Sequence, residues 1–179
     1  LDNFASVREA VDELKKETLY NCKMVQAQDG VSVESDTLGA LLYPLEGDTF
    51  ALDMVIKPER YHEFGIALHV DKELETGYFL RMNPKNQLVA WDMWPRGEQG
   101  RYQWQIKGDV PYQIETARKL PKAEEYRVHI IKEKDICVVY INDEIVLSTR
   151  MYNHKDGYAG IYVVQGDVKL IQYKEKRSE

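Results

Sequence analysis

The chain has 179 residues, 44% of them hydrophobic, with 24 Lys and Arg against 30 Asp and Glu and a net charge of -6. It is long enough to bury its own core and too apolar to be a disordered segment. An acidic chain lacks the basic face that phosphate backbones and anionic membranes require, and no apolar run approaches the roughly 18 residues of a spanning helix, so no nucleic-acid or membrane partner is expected.

Along the chain, Phe4, Val7, Val11, Leu14 and Thr18 recur at the spacing of one helical face, with Glu9, Asp12, Glu13, Lys15 and Lys16 opposite and Asp2 or Asn3 available as a cap. The spacing predicts a helix from residue 4 to about 20, read as a connector packed on its own domain or on a missing one. After Tyr20 the period falls to two. Strands are expected over Val31–Glu34, Gly39–Tyr43, Phe50–Lys57, Phe64–Asp71, Gly77–Met82, Gln87–Met93, Pro111–Thr116, Tyr126–Lys132, Ile136–Ile141, Ile145–Met151, Tyr158–Val164 and Val168–Tyr173. Turn residues stand between them, such as Asp29-Gly30, Asn83-Pro84, Asp156-Gly157 and Gly166-Asp167. Asn142-Asp143 between two apolar runs is the strongest hairpin signal. This succession implies an all-β fold, a two-sheet antiparallel β-sandwich of jelly-roll, concanavalin-like type, with one N-terminal α-helix. The expected division is a linker helix over 1–22 and a sandwich over 23–179. The absence of βαβ alternation argues against a nucleotide crevice.

The catalytic signatures of α/β-hydrolases, P-loop proteins, dinucleotide-binding folds and zincins do not occur. His62, His69, His129 and His154 share no metal-ligand spacing, and His129 alternates with Val128 and Ile130 in a strand. Cys22 and Cys137 are too few and too far apart for a disulfide framework and read as free buried thiols, with one long-range disulfide as the alternative. Acidic residues are numerous, and none stands in a motif that marks a glycosidase pair.

Aromatic residues concentrate in the middle of the chain, where Trp91, Trp94 and Trp104 fall. A tryptophan offers a flat apolar face to a sugar ring, and is equally common as a core filler. Strand parity sorts these residues. Phe64, Ile66, Leu68 and Val70 point one way, with Tyr78, Leu80 and Met82 and with Val89, Trp91 and Met93. The opposite face then carries Glu63, His69, Arg81, Asp92 and Trp94, with Gly65, Ala67 and Ala90 between them. Small residues among polar ones leave room for a ligand, and carboxylates with an arginine can grip hydroxyls. An ordinary solvated face with an Arg81–Asp92 ion pair is the alternative.

Two stretches carry a family resemblance. One runs through Phe50-Ala-Leu-Asp-Met-Val-Ile-Lys, Gly65-Ile-Ala-Leu-His-Val-Asp, Gly77-Tyr-Phe-Leu-Arg-Met-Asn-Pro and Leu88-Val-Ala-Trp-Asp-Met-Trp-Pro-Arg. The other runs from Tyr126-Arg-Val-His-Ile-Ile through Asn142-Asp143 and Ser148-Thr149-Arg150 to Gly160-Ile-Tyr-Val-Val. Together, over about residues 35 to 174, they resemble the C-terminal β-sandwich of glycoside hydrolase family 32, the invertases, levanases and inulinases. The first stretch also resembles the related fructan-binding modules of carbohydrate-binding module family 66. The family's catalytic motifs, N-D-P-N-G, R-D-P and E-C, belong to a separate propeller and are absent here. The resemblance therefore implies a non-catalytic module cut from a longer protein, whose partner is a missing N-terminal propeller. It implies carbohydrate, such as fructans, as a candidate ligand, with pure support of the propeller as the equal alternative; strand parity, and not a family motif, puts that ligand on the Glu63, His69, Arg81, Asp92 and Trp94 face. No cofactor is expected, and structural calcium, common in such sandwiches, is left open, since no D-x-D loop stands here. Homo-oligomer formation and the native compartment, bacterial cytoplasm or secreted, are left open as well. A stand-alone lectin-like or laminin-G-like interaction domain is the second reading, and a free-standing jelly-roll glycosidase the third.

Overall fold

Alternating apolar residues dominate the chain, and the sandwich follows from burying one face of each strand against another sheet. The computed structural model describes residues 4–9, 17–94 and 112–178. The strands are β1 (Phe4–Glu9), β2 (Thr18–Tyr20), β3 (Lys23–Ala27), β4 (Gly30–Pro44), β5 (Thr49–Arg60), β6 (Glu63–Val70) and β7 (Gly77–Asn83). There follow β8 (Leu88–Trp94), β9 (Tyr112–Gln113), β10 (Arg118–Lys119), β11 (Tyr126–Glu133), β12 (Ile136–Ile141), β13 (Ile145–Arg150) and β14 (Tyr158–Ser178). Every pairing is antiparallel, and the path runs β10-β8-β7-β6-β14-β5-β11-β12-β13.

Two long strands turn the corner between the layers. The first part of β14, Tyr158–Val164, lies between β4 and β6, and the part from Asp167 onward pairs with β5. The expected pair Tyr158–Val164 and Val168–Tyr173 is thus one strand, and Val31–Glu34 with Gly39–Tyr43 is likewise one strand, β4. The change of sheet occurs at an irregularity between Val164 and Gly166, where Gln165 takes φ 50°. A bulge of this kind bends a strand without ending its hydrogen bonding. Local turn signals cannot distinguish such a bend from a loop, which is why the sequence reads four strands here.

The core holds the parity sets read from the sequence, Val70 excepted. Phe64, Ile66 and Leu68, Tyr78, Leu80 and Met82, and Val89, Trp91 and Met93 meet Leu52, Met54, Val128, Ile130, Val139 and Ile141 of the other layer. The hairpin Ile136–Arg150 turns at Asn142 and Asp143, both at positive φ (51° and 58°), as a type I′ turn requires. Cys22 and Cys137 are free, the first half-buried and the second buried.

Among the described residues the expected N-terminal helix is not present. Phe4–Glu9 is a strand that pairs with the end of β14, Glu9 opposite Lys174 and Phe4 opposite Ser178. β4 covers β14 only up to Leu170, so the flank beyond it has unmade backbone hydrogen bonds, and β1 makes them. These non-local bonds override a weak helical periodicity. Thr18–Tyr20, the other end of the expected helix, pairs with Leu42–Ala40 of β4. The intervening part, 10–16, lies outside the described residues, as do Trp104 and Pro111; of the expected strand Pro111–Thr116 only Tyr112–Gln113 is a strand, β9.

Candidate functional site

The outer face of the β2-β4-β14-β6-β7-β8 layer is built in cross-strand rows. One row reads Tyr20, Ala40, Tyr162, Gly65, Arg81, Ala90. The next reads Leu42, Gly160, Ala67, Phe79, Asp92, Gln113. Alanines and glycines therefore floor the centre of the face, and larger side chains stand around them. A Cβ at Gly65 would sit 1.9 Å from the Leu80 carbonyl oxygen and 2.9 Å from Cε1 of Tyr162, so this position admits the tyrosine ring only as glycine.

The result is an open groove of about 420 Å³. β2 and β4 give it Tyr20 and Leu38, and β14 gives Tyr162 and Val164. Phe79 and Trp94 come from β7 and β8, Glu63 from β6 and Asp92 from β8. The Phe79 ring stands edge-on to that of Tyr162, with centroids 5.6 Å apart at 87°. The β6–β7 turn closes one side with Glu73, Leu74 and Glu75. Leu74, at φ 57° and 6% exposed, plugs this turn into the cluster of Ala40, Leu42, Ala67, Val70 and Tyr162. Asp71 ties the turn off, its Oδ1 accepting the Thr76 N–H at 2.8 Å.

Beside the groove, Arg81 lies between two acids. Its Nε is 3.0 Å from Asp92 Oδ2 and 3.8 Å from Glu63 Oε1. Its Nη2 donates to Asp92 Oδ1 at 3.4 Å and to Gln113 Oε1 at 3.3 Å. Burial pushes both carboxyls above their ordinary range, against the pull of the guanidinium. Tyr162 is held well above the ordinary tyrosine value by burial and by the two acids. Acceptors, a guanidinium donor, a phenol and flat aromatic faces are thus assembled around a floor of small residues. Such a set can bind a ligand rich in hydroxyls and stack on its apolar side.

Four of the five residues expected on this face are on it: Glu63, Arg81, Asp92 and Trp94. His69 is not. The pairing of β6 with β14 slips between Tyr158–Val70 and Ala159–Leu68, and His69 takes φ 53°. This one-residue bulge reverses the alternation. Val70 turns to the groove side, and His69 turns inward, 3% exposed, its ring edge-on to Phe50 at 5.5 Å. Its Nδ1 is 2.8 Å from the Asp156 carbonyl oxygen, and burial lowers its pKa to about 4.

Parity on β14 would have found Tyr162, since Tyr158, Gly160, Tyr162 and Val164 alternate with Ala159, Ile161 and Val163. Phe79 shares the parity of Arg81 on β7, which is the signal for it. Tyr20 was assigned to the helix, and nothing in Glu73-Leu-Glu75 announces a groove wall. Among the described residues no group of three or more His, Cys, Asp or Glu side chains is placed to hold a metal.

No family model and no curated protein matches the chain. Solved structures do. The carbohydrate-binding module CBM66 from Bacillus subtilis superposes with a TM-score of 0.73 at 17% identity, over 90% of this chain and 95% of that one. The exoplasmic/lumenal domain of VIP36, in a form with Ca2+ and Man3GlcNAc bound, gives 0.62 at 10% identity over 93% and 85%. The Caenorhabditis elegans galectin LEC-6 gives 0.54 at 13% identity over 87% and 95%. At these identities the likeness is one of fold: the chain is a β-sandwich of the architecture shared by these carbohydrate-binding and lectin domains.

Proposed function

We propose that the chain is a non-catalytic carbohydrate-binding β-sandwich that takes a sugar end into the groove between Tyr162, Phe79, Trp94 and the β6–β7 turn. The observation that carries this reading is Arg81 fixed between Glu63 and Asp92 beside an aromatic groove floored by alanine and glycine. In this reading Glu63 and Asp92 accept hydroxyl protons, Arg81 holds both acids in place and donates to a ring or hydroxyl oxygen, and Trp94 covers the apolar face of the ring. The likeness to a carbohydrate-binding module over nearly the whole of both chains supports it.

The finer reading is fructan binding by the accessory sandwich of a family 32-like β-fructosidase, with a propeller as its natural neighbour. Its support is the sequence resemblance over residues 35 to 174 together with the CBM66 likeness. Titration calorimetry with fructose, sucrose, levan and inulin oligosaccharides, alongside mannose and galactose oligosaccharides, with and without calcium, tests both levels. Saturable heat with fructans alone supports the finer reading. Heat with the mannose or galactose series alone keeps the binding module and removes the fructan assignment. No heat with any sugar overturns the module, and leaves the sandwich as a support for another domain.

A further inference from the structure

The groove carries a one-sided charge. Among its described lining residues Glu63, Glu73, Glu75 and Asp92 are acids, and none is a lysine or arginine. The neighbouring cation, Arg81, is already engaged by Asp92 and Glu63. The two glutamates of the β6–β7 turn have no such partner among the ion pairs of the described residues, and Lys72 of the same turn lies over the Tyr158 ring at 5.8 Å and does not line the groove. The turn is held in place by the buried Leu74 and by the Asp71–Thr76 bonds, so these charges stand at fixed positions on the rim.

A second observation places a ligand-facing group within this field. Tyr162 is 3% exposed and lines the groove, and its hydroxyl makes no hydrogen bond among the described residues. Its surroundings, the acids included, keep it protonated, so it offers a donor to an incoming oxygen and no charge of its own. The groove therefore presents a neutral donor and surplus negative charge, an arrangement that favours a cationic or neutral sugar and repels an anionic one.

We propose that the groove sorts sugars by charge, so that for one ring shape an ammonium-bearing sugar binds best, the neutral sugar next, and a carboxylated or phosphorylated sugar worst. This rests on the reading of the groove as a sugar site. Two charges a few ångströms apart at a wet surface interact by about 1 kcal/mol, so each step of the series amounts to about five-fold in affinity at low salt. Raising the salt to 1 M screens most of it.

The test is calorimetric titration of two series: 1-amino-1-deoxyfructose, fructose and fructose 6-phosphate, and glucosamine, glucose and glucuronate. Each is run at 20 mM and at 1 M salt. The expected result is the stated order in whichever series binds, flattened by salt. Glu73→Gln with Glu75→Gln, on an exposed turn, compresses the order further at low salt. A neutral sugar that binds beside equally tight anionic and cationic partners overturns the charge rule and leaves the binding reading intact. Absence of heat across both series overturns the two together.

Discussion

Arg81 on β7 reaches diagonally across the pair to Asp92 on β8, placing its Nε 3.0 Å from Oδ2 and its Nη2 3.4 Å from Oδ1. Asp92 is 9% exposed, and Glu63 competes for the same guanidinium at 3.8 Å. An exposed pair of this kind contributes less than about 1 kcal/mol, and severing a fully buried one costs about 3–5. The arginine side chain is about one-third exposed, so Arg81→Ala is expected to cost about 1–2 kcal/mol at pH 7. The pH dependence has a definite sign. Both carboxyls have folded pKa values above the unfolded ones, so their contribution is fully present below the unfolded values and is lost as pH rises through the folded ones. Removing Arg81 raises them further. Urea unfolding at pH 7 and pH 4.5 should therefore show the difference between wild type and Arg81→Ala shrinking in acid. A difference that is constant with pH would mean that the three groups are not coupled.

Sugar affinity is expected to follow the same acids. If ionised Glu63 and Asp92 accept hydroxyl protons, binding weakens on acidification at a pH above that of an ordinary carboxylate, because burial holds both groups protonated early. Trp94→Ala removes a flat wall of the groove and is expected to lower affinity about ten-fold or more, as losses of aromatic stacking do. Asp92→Asn should act similarly while reducing the acid dependence to the part that Glu63 supplies. Unchanged titrations for both variants would place the sugar elsewhere on the molecule.

The face was legible because β6, β7 and β8 keep strict alternation for most of their length. Phe64, Tyr78 and Trp91 are each buried, as a period of two demands, and that leaves Glu63, Arg81 and Asp92 opposite them. What the sequence conceals is where the period breaks. His69 sits at a bulge that nothing in Leu68-His69-Val70 announces, since the cause is the slipped pairing with Tyr158 and Ala159, a partner ninety residues away in the chain. Phe4–Glu9 shows the same limit. Its helical spacing is real, and the deciding bonds are to the far end of β14. The likeness of both errors is physical: each residue's neighbours in space, and not its neighbours in sequence, choose its conformation.

His69 gives the fold an acid-sensitive point apart from the groove. Its pKa falls to about 4 because burial excludes the charged ring. The unfolded chain takes up that proton near pH 6.5, so between about 6.5 and 4 it binds more protons than the folded one, and stability declines as pH falls through that window. The full effect is at most about 3 kcal/mol. His154, half-buried and likewise lowered by burial, acts in the same direction, so the comparison with a variant is what isolates His69. Asparagine tolerates a positive φ and can donate to the Asp156 carbonyl. His69→Asn is therefore expected to show a shallower loss of stability than wild type between pH 6.5 and 4 in urea unfolding. An identical slope in the two proteins would remove His69 as its source.

Gly65 couples the groove floor to the sandwich. The missing side chain lets the Leu80 carbonyl of β7 and the Tyr162 ring of β14 close over one position, and a methyl group there would have to displace backbone at 1.9 Å. Gly65→Ala is expected to cost at least about 1–3 kcal/mol, the usual range for overpacking, and to shift Tyr162. Gly47→Ala is the fitting contrast. Gly47 has φ 78° with nothing within 4 Å of the added carbon, so its cost is only that of a strained backbone, about 1 kcal/mol. Thermal unfolding of the two variants separates crowding from conformational strain. Because Tyr162 lines the groove, Gly65→Ala should also lower sugar affinity, while Gly47→Ala should leave it as in wild type. A Gly65→Ala protein as stable as Gly47→Ala would mean that β7 can retreat from the added methyl, and that the groove floor is less tightly set than its contacts imply.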